Sequence, residues 1–508
     1  MEIEGRTGKF LKNASGAALF QIVNMLCGII TPRFMLMGYG SEINGLVSSI
    51  TQFLTALAVV ESGLGTAAQI SLYKPLAEKD YGKVSSLVSA ARRAYLQVGY
   101  LFTALSIVLA FLYPVFAGVE GMSYGTMAAL VLVLALHYAL NYFIIAKYQV
   151  LFQADQRAYV ISLAQVVSRA VNTICIVVMA TLKAHILLLR ICVTASVVIH
   201  AVIIYIYAKK HYPFIDYYAK PDKSALNQRW DALYLSVLGT VQSSAPGILL
   251  TLVASLTSVS VYTVYSMVFT ALMGVLGIFM NGVNASFGNL LRSKDHDRTK
   301  EVYAEFENAY YVLITIIYTT AMPLIVPFVR LYTQGITDAQ YLLPGLGVLF
   351  AVNGLMYNLK TPQGMMVQAA GLFRQVRWRN TVQVAILLIG GLVLGYFFGI
   401  YGVVLASILS NTYRVIDLLF FIPKYVTKDS PWGSVRRVLL MLVCSIAVSS
   451  VAGIFVSNLE INNYFQWFVA AVTVFVFVAG SVALVDYIFE RRNFLAVCKR
   501  IIGLLRRK

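Results

Sequence analysis

Fourteen apolar runs, each at least 20 residues long and set apart by charged or Gly/Pro/Asn-rich connections, constrain this chain before any single residue does. A helix rises 1.5 Å per residue, so about 20 residues cross the roughly 30 Å of bilayer hydrocarbon. The runs fall near residues 12–35, 43–72, 94–117, 123–146, 158–181, 184–208, 231–257, 259–290, 307–332, 341–363, 380–399, 402–423, 437–457 and 464–488. Outer-membrane strands would instead alternate apolar and polar residues over about ten positions. Only 12% of the 508 residues are charged, against about 25% in a soluble chain. The expected fold is therefore an all-α polytopic membrane protein with about 14 transmembrane helices. Two six-helix lobes, residues 1–208 and 230–423, are expected around a central cavity, joined by a cytoplasmic linker at 209–229. Two additional helices (424–490) and a basic amphipathic tail (491–508) follow.

The distribution of basic residues tests that count, because one missed or invented span would invert everything after it. Of the 40 Lys and Arg, 34 lie in the N-terminus, in every second connection, or in the tail. The opposite side has only Arg33, Lys183 and Arg330, while Arg169, Arg190 and Arg414 lie within spans. Both termini are thus expected in the cytoplasm. The net charge of +18, which in a soluble chain would point to nucleic acid, here reflects topology and attraction to anionic membrane lipids. In the tail, Leu495, Cys498, Ile502 and Leu505 share one helical face and Arg492, Lys499 and Arg506 another. That pattern reads as an interfacial helix or as a frayed orientation signal.

Other function classes find little support. There is no P-loop, the five His lack zinc-ligand spacing, and Asp295-His296-Asp297 sits in a short connection crowded with Lys and Arg. Outer connections are too brief for a catalytic domain, so neither an enzyme nor a cofactor is expected. The five cysteines have no metal or disulfide spacing. The first apolar run is too long for a signal peptide and is interrupted by Gln21 and Asn24.

Polarity inside the spans is what remains. The first helix places Gln21, Asn24, Gly28 and Thr31 on one face. The seventh carries Gln242, Ser243 and Ser244 and then Pro246-Gly247, read as a polar run before a break, and the eighth adds Asn281 and Asn284. Interhelical hydrogen bonding explains any one of these. Their placement on the helices that open both halves favours a shared polar cavity.

The stretches GYGSEINGLVSSITQFLTALAVVESGLGTAAQISLYKPLAEKD, LFQADQRAYVISLAQVVSR and VYTVYSMVFTALMGVLGIFMNGVNASFGNLLRSKD resemble the polysaccharide-transport (Wzx-type) flippases of the multidrug/oligosaccharidyl-lipid/polysaccharide exporter superfamily. The likeness extends over nearly the whole chain. It implies movement of an undecaprenyl-diphosphate-linked oligosaccharide from the inner to the outer leaflet of a bacterial inner (plasma) membrane for capsule, O-antigen or exopolysaccharide assembly, with glycan polymerase or assembly proteins as candidate partners. A drug/cation antiporter of the same superfamily is the alternative.

A diphosphate calls for arginines, whose planar fork binds phosphate oxygens bidentately. Arg169 and Arg414 lie near mid-membrane, Arg33 and Arg190 nearer the outside. Arg33 equally fits snorkelling outward, and Arg414 has Asp417 three residues on as a neutralising partner. With Gln21 and Asn24, these four are the candidate substrate-binding residues. Glu61, just before Ser62-Gly63-Leu64-Gly65, joins them with three readings. It is a counter-ion to a buried arginine, the preferred one; a carboxylate that binds H+ or Na+ to couple an ion gradient; or a structural acid at a helix crossing.

Overall fold

The computed structural model describes residues 6–61, 63–222, 230–292 and 296–505. Expectations placed on Ser62, Asp295 and Arg506, and on the side chains of Asn281, Asn284, His296, Ile502 and Leu505, lie outside the described residues. The chain divides into two compact units, residues 1–263 and 264–508.

In the first unit, α1 (Arg6–Leu57) is two helices joined at Gly40, whose φ of 80° and ψ of 176° leave the helical region. A side chain at that φ would be strained, so the sequence supplies none. The second half ends in a 3-10 turn, Ala58–Glu61, and α2 (Leu64–Glu78) restarts after Gly63 at φ 81°. The expected second span is thus unwound where its small residues cluster. Next, α3 (Tyr81–Phe116) begins at Asp80, whose carboxylate accepts from the Lys83 N–H at 3.0 Å. That is well before the expected residue 94. Residues 81–93 carry Lys83, Arg92 and Arg93, yet still bury Val84, Leu87, Val88 and Ala91, so amphipathicity continues a helix that mean hydropathy had cut short.

Then α4 (Tyr124–Leu140) passes through a π turn, Asn141–Ile145, into α5 (Ala146–Ala154). α6 (Ala158–Thr181) and α7 (Ile186–His211) follow. α8 (Trp230–Val253) continues through Pro246, correcting the expected break, and α9 (Leu256–Arg292) crosses the boundary between the units.

Side chains mark two ends of this unit. At one, the Asp155 carboxylate binds Lys9 (3.3 Å), Arg157 (2.9 Å) and the Tyr212 hydroxyl (2.6 Å). At the other, Tyr39 donates to the Ala184 carbonyl at 2.7 Å, and Asn44 donates to Ser260 at 2.8 Å. There Gly45 lies so close to Leu256 that a Cβ would sit 1.8 Å from its carbonyl oxygen.

The second unit is built on α10 (His296–Tyr332), against which α11 (Pro344–Leu359), α14 (Trp432–Ser457) and α15 (Tyr464–Phe489) pack. α12 (Thr361–Ala369) follows α11, and α13 (Phe373–Ile422) turns at Gly399, φ 56° and ψ −131°. Glu307 on α10 is fully buried and accepts from Arg437 (2.8 Å), Ser434 (2.7 Å), Gln363 (2.9 Å) and Tyr303 (2.9 Å). One carboxylate thereby holds α14 and α12 to α10. The tail helix α16 (Arg491–Leu505) docks on the start of α10 through Arg492 with Glu301 (2.7 Å) and Arg500 with Glu305.

Eleven helices among the described residues are long and apolar enough to cross a membrane. Dividing the first at Gly40 and the ninth at Gly399, and adding the shorter α11, accounts for the expected fourteen. The chain is a multi-pass, all-helical membrane protein.

Candidate functional site

The first unit holds a cavity of about 420 Å³ walled by α1 and α4 to α7. Its polar lining is unusual for the inside of a membrane bundle. α1 contributes Asn24; the α4–α5 segment contributes His137, Tyr138, Asn141 and Gln149; α6 contributes Gln165, Ser168, Arg169 and Asn172; α7 contributes His200. The spacing on α6 explains its share. Gln165, Ser168, Arg169 and Asn172 recur at three- and four-residue steps, which is one face of a helix.

Arg169 stands halfway along the 24-residue α6. Among the described residues its guanidinium has no ion pair, and its Nε is buried without a hydrogen-bonding partner. The Nε2 of His200 is likewise buried and unpartnered among them. His137 lies near enough to feel both Arg169 and His200. The cavity therefore presents one permanent cation, two imidazoles and five carboxamides, and no lining residue is a carboxylate. A buried charge without a partner is costly and persists where it meets water or a ligand. Such a site suits an anionic group carried on something rich in hydroxyls.

Of the residues expected to bind substrate, Arg169 and Asn24 meet in this cavity, and the others do not line it. Gln21 is half-buried on α1, one turn before Asn24, and outside the lining. Gln242, Ser243 and Ser244 are also absent from it, so Asn24 shares its cavity with α4 to α7 rather than with α8. Arg33 is half-buried beyond it. Arg190 is packed between α7 and α1, donating to the Met35 sulfur at 3.4 Å and lying near the Tyr39 hydroxyl. Arg414, in the second unit, donates to Asp417 at 2.5 Å, and Arg379 binds the same carboxylate. Arg414 is thus paired within its own unit, although two guanidiniums on one carboxylate leave a net positive charge there.

Glu61 departs from its preferred role as an arginine counter-ion. At the end of the 3-10 turn its carboxylate faces the hydroxyls of Tyr95 on α3 and Tyr142 in the π turn. The Tyr142 hydroxyl also reaches the Ala58 carbonyl at 3.5 Å. Two phenols stand where a guanidinium was expected.

Sequence reasoning missed His137, His200 and the carboxamides of α4 to α6. The α6 periodicity alone could have found Gln165 and Asn172 beside Arg169. It also missed Lys360, half-buried in the second unit just beyond α11, where it donates to Asn411 at 2.8 Å and lies 4.4 Å from the Tyr357 ring.

No family model matches the chain, and no curated protein matches it in sequence. Solved structures do match in fold. The lipid II flippase MurJ in an inward closed conformation aligns with a TM-score of 0.67 at 14% identity, over 94% of this chain and 99% of that one. An inward-facing multidrug resistance MATE family transporter of the MOP superfamily aligns with a TM-score of 0.61 at 14% identity, over 83% and 98%. A MOP superfamily transporter from Pyrococcus furiosus, described as having a binding pocket of reverse polarity, aligns with a TM-score of 0.56 at 13% identity, over 85% and 95%.

Proposed function

From the fold of the multidrug/oligosaccharidyl-lipid/polysaccharide exporter superfamily, which this chain has, we propose a flippase that moves an undecaprenyl-diphosphate-linked oligosaccharide across the bacterial plasma membrane. Capsule, O-antigen or exopolysaccharide assembly is the process it serves, with both termini in the cytoplasm and glycan-polymerising proteins as downstream partners. The observation that carries this reading is the Arg169 cavity, which offers an unpaired guanidinium and many carboxamides with no carboxylate among its lining residues.

Each polar group has a task in that reading. Arg169 binds a phosphate oxygen pair through its planar fork, each charge-assisted hydrogen bond contributing about 1.5–3 kcal/mol. Asn24, Asn141, Gln149, Gln165 and Asn172 exchange hydrogen bonds with sugar hydroxyls, since a carboxamide both donates and accepts. His137 and His200 add donors without requiring a second fixed charge. The polyprenyl tail stays in the bilayer while the head group passes through the protein by alternating access. Glu61, held by two tyrosines at an unwound turn, is the site proposed for a coupling H+ or Na+.

The fold shared with MATE transporters favours a second reading, export of a small drug or cation. Such a cargo calls for a carboxylate in the cavity, which speaks against it here. Purified protein in liposomes separates the two. We expect transbilayer movement of a short-glycan lipid diphosphate and none of a cationic dye; the reverse pattern would overturn the flippase reading.

A further inference from the structure

A second cationic cluster lies in the first unit, at the end where α1 begins. The segment after α7 folds back along the extension of α3. Ser86 donates to the Lys220 carbonyl and Ser89 to the Ala219 carbonyl, both at 2.6 Å, and the Asp216 N–H donates to Ser85 at 3.1 Å. This places Tyr217 and Tyr218 over α3 and α5. The Arg92 guanidinium lies 4.1 Å from the Tyr218 ring centre, and the Lys147 ammonium lies 4.9 Å from the Tyr148 ring and 5.8 Å from the Tyr217 ring. Tyr148 packs edge-on against Tyr217 at 5.2 Å and against Tyr205 of α7 at 6.4 Å.

The charges here do not cancel. Among the described residues neither Arg92 nor Lys147 has a carboxylate within ion-pair distance; the partners they have are ring faces. The segment carries two acids, Asp216, which accepts from the Tyr218 N–H at 2.8 Å, and Asp222, whose own N–H donates to the Ser86 carbonyl, and among the described residues neither is paired with Arg92 or Lys147. The Tyr217 hydroxyl is buried with no hydrogen-bonding partner among the described residues. Ring faces hold both cations in place at about 0.5–2 kcal/mol each, but they do not neutralise them. The pair lacks an anion.

The surroundings say where that anion comes from. On α7, Val202 and Ile206 are exposed on either side of Tyr205, itself 50% exposed, while Tyr218 is 74% exposed. Apolar side chains facing lipid beside Tyr, Lys and Arg are the composition of a helix end at the level of the headgroups. We propose that Arg92, Lys147 and Tyr217 form a binding site for a phosphate or diphosphate group carried on a lipid. The rings of Tyr148, Tyr217 and Tyr218 position the cations, and Tyr205 backs Tyr148. Lys147 and Gln149 sit two residues apart on α5, the one at this cluster and the other in the Arg169 cavity. The lipid site does not depend on the transport reading, because binding is measured without transport.

The test uses the full-length protein in phosphatidylcholine nanodiscs, with lipid retention counted by native mass spectrometry. Probes are undecaprenyl diphosphate and phosphatidylglycerol, with inorganic diphosphate as soluble competitor. We expect the wild type to retain a phosphate-bearing lipid and the Arg92→Gln/Lys147→Gln variant to lose at least tenfold in affinity. Arg92→Lys should keep most binding. Tyr217→Phe should weaken it about three- to tenfold without lowering the unfolding temperature, since its hydroxyl serves no described protein group. Preference for undecaprenyl diphosphate would identify the lipid as proposed flippase cargo; equal retention of phosphatidylglycerol would identify it as bulk headgroup. Unchanged retention by a folded double variant overturns the site, as does competition by inorganic diphosphate at equal affinity, which would remove the lipid from the proposal. Arg169→Gln should leave phosphatidylglycerol retention, which the cavity reading does not involve, intact while lowering undecaprenyl diphosphate retention by the cavity's share, so failure here and failure of the cavity reading are separate results.

Discussion

Arg169→Gln separates a binding residue from a packing residue because the two roles move stability in opposite directions. In the folded protein Arg169 keeps a buried Nε with no partner among the described residues and makes no ion pair with them. An unsatisfied buried donor costs about 1–3 kcal/mol, and an unpaired charge adds to that cost. Replacing the guanidinium with a neutral carboxamide should therefore leave the unfolding free energy unchanged or raise it by about 1 kcal/mol. Substrate should respond the other way. The variant loses at least one charge-assisted hydrogen bond to the diphosphate, about 1.5–3 kcal/mol, or roughly 10- to 150-fold in affinity at 1.4 kcal/mol per decade. Arg169→Lys keeps the charge but loses the fork, so it should retain partial transport. The assay pairs transbilayer movement of a fluorescent short-glycan lipid diphosphate in proteoliposomes, at matched protein content, with thermal unfolding in detergent. Normal transport together with a lowered unfolding temperature would make Arg169 a packing residue and refute the reasoning.

Three further outcomes follow from the same geometry. Glu307→Gln leaves Arg437 short of its main partner inside the second unit, so it should destabilise the protein by about 3–5 kcal/mol, read as a fall in the thermal midpoint; an unchanged midpoint would mean that the carboxylate does not hold α12 and α14 to α10. Glu61→Gln should transport poorly and lose any response to a pH or Na+ gradient, with Glu61→Asp partly active; because tyrosines rather than an arginine face it, adding Arg33→Gln or Arg190→Gln should give no rescue, and rescue by either would restore the counter-ion role. Reporter fusions at Arg298 and Arg377 should read cytoplasmic and those at Glu120, Gly335 and Asn462 external, whereas an external signal at Arg298 would invert the proposed orientation of the second half.

Much of the fold was legible from the sequence because the bilayer asks a one-dimensional question. A run either reaches across about 30 Å of hydrocarbon or it does not, and the glycines at 40, 63 and 399 mark where such runs must bend. The same solvent sorted Lys and Arg to alternate connections. The extension of α3 escaped notice because its apolar stripe is a two-dimensional pattern that average hydropathy erases.

The sites belong to the third dimension. That Asn24 and Arg169, 145 positions apart in the chain, share a cavity depends on how α1 crosses α6, and the same crossing excludes Gln21, one turn away. Arg190 and Arg169 look alike in sequence, two arginines without a local acid, yet packing seals one against Met35 and opens the other to a cavity. Asp417 received Arg379 as well as its neighbour Arg414, and Glu61 received two phenols. The sequence by itself determined how many apolar runs can cross and that they part near Gly40, Gly63 and Gly399, because those follow from run length and backbone freedom, whereas the break it suggested at Pro246 did not form. Only the tertiary structure decided which polar groups meet, because a helix turns each residue to a face and the partner on that face comes from a distant part of the chain.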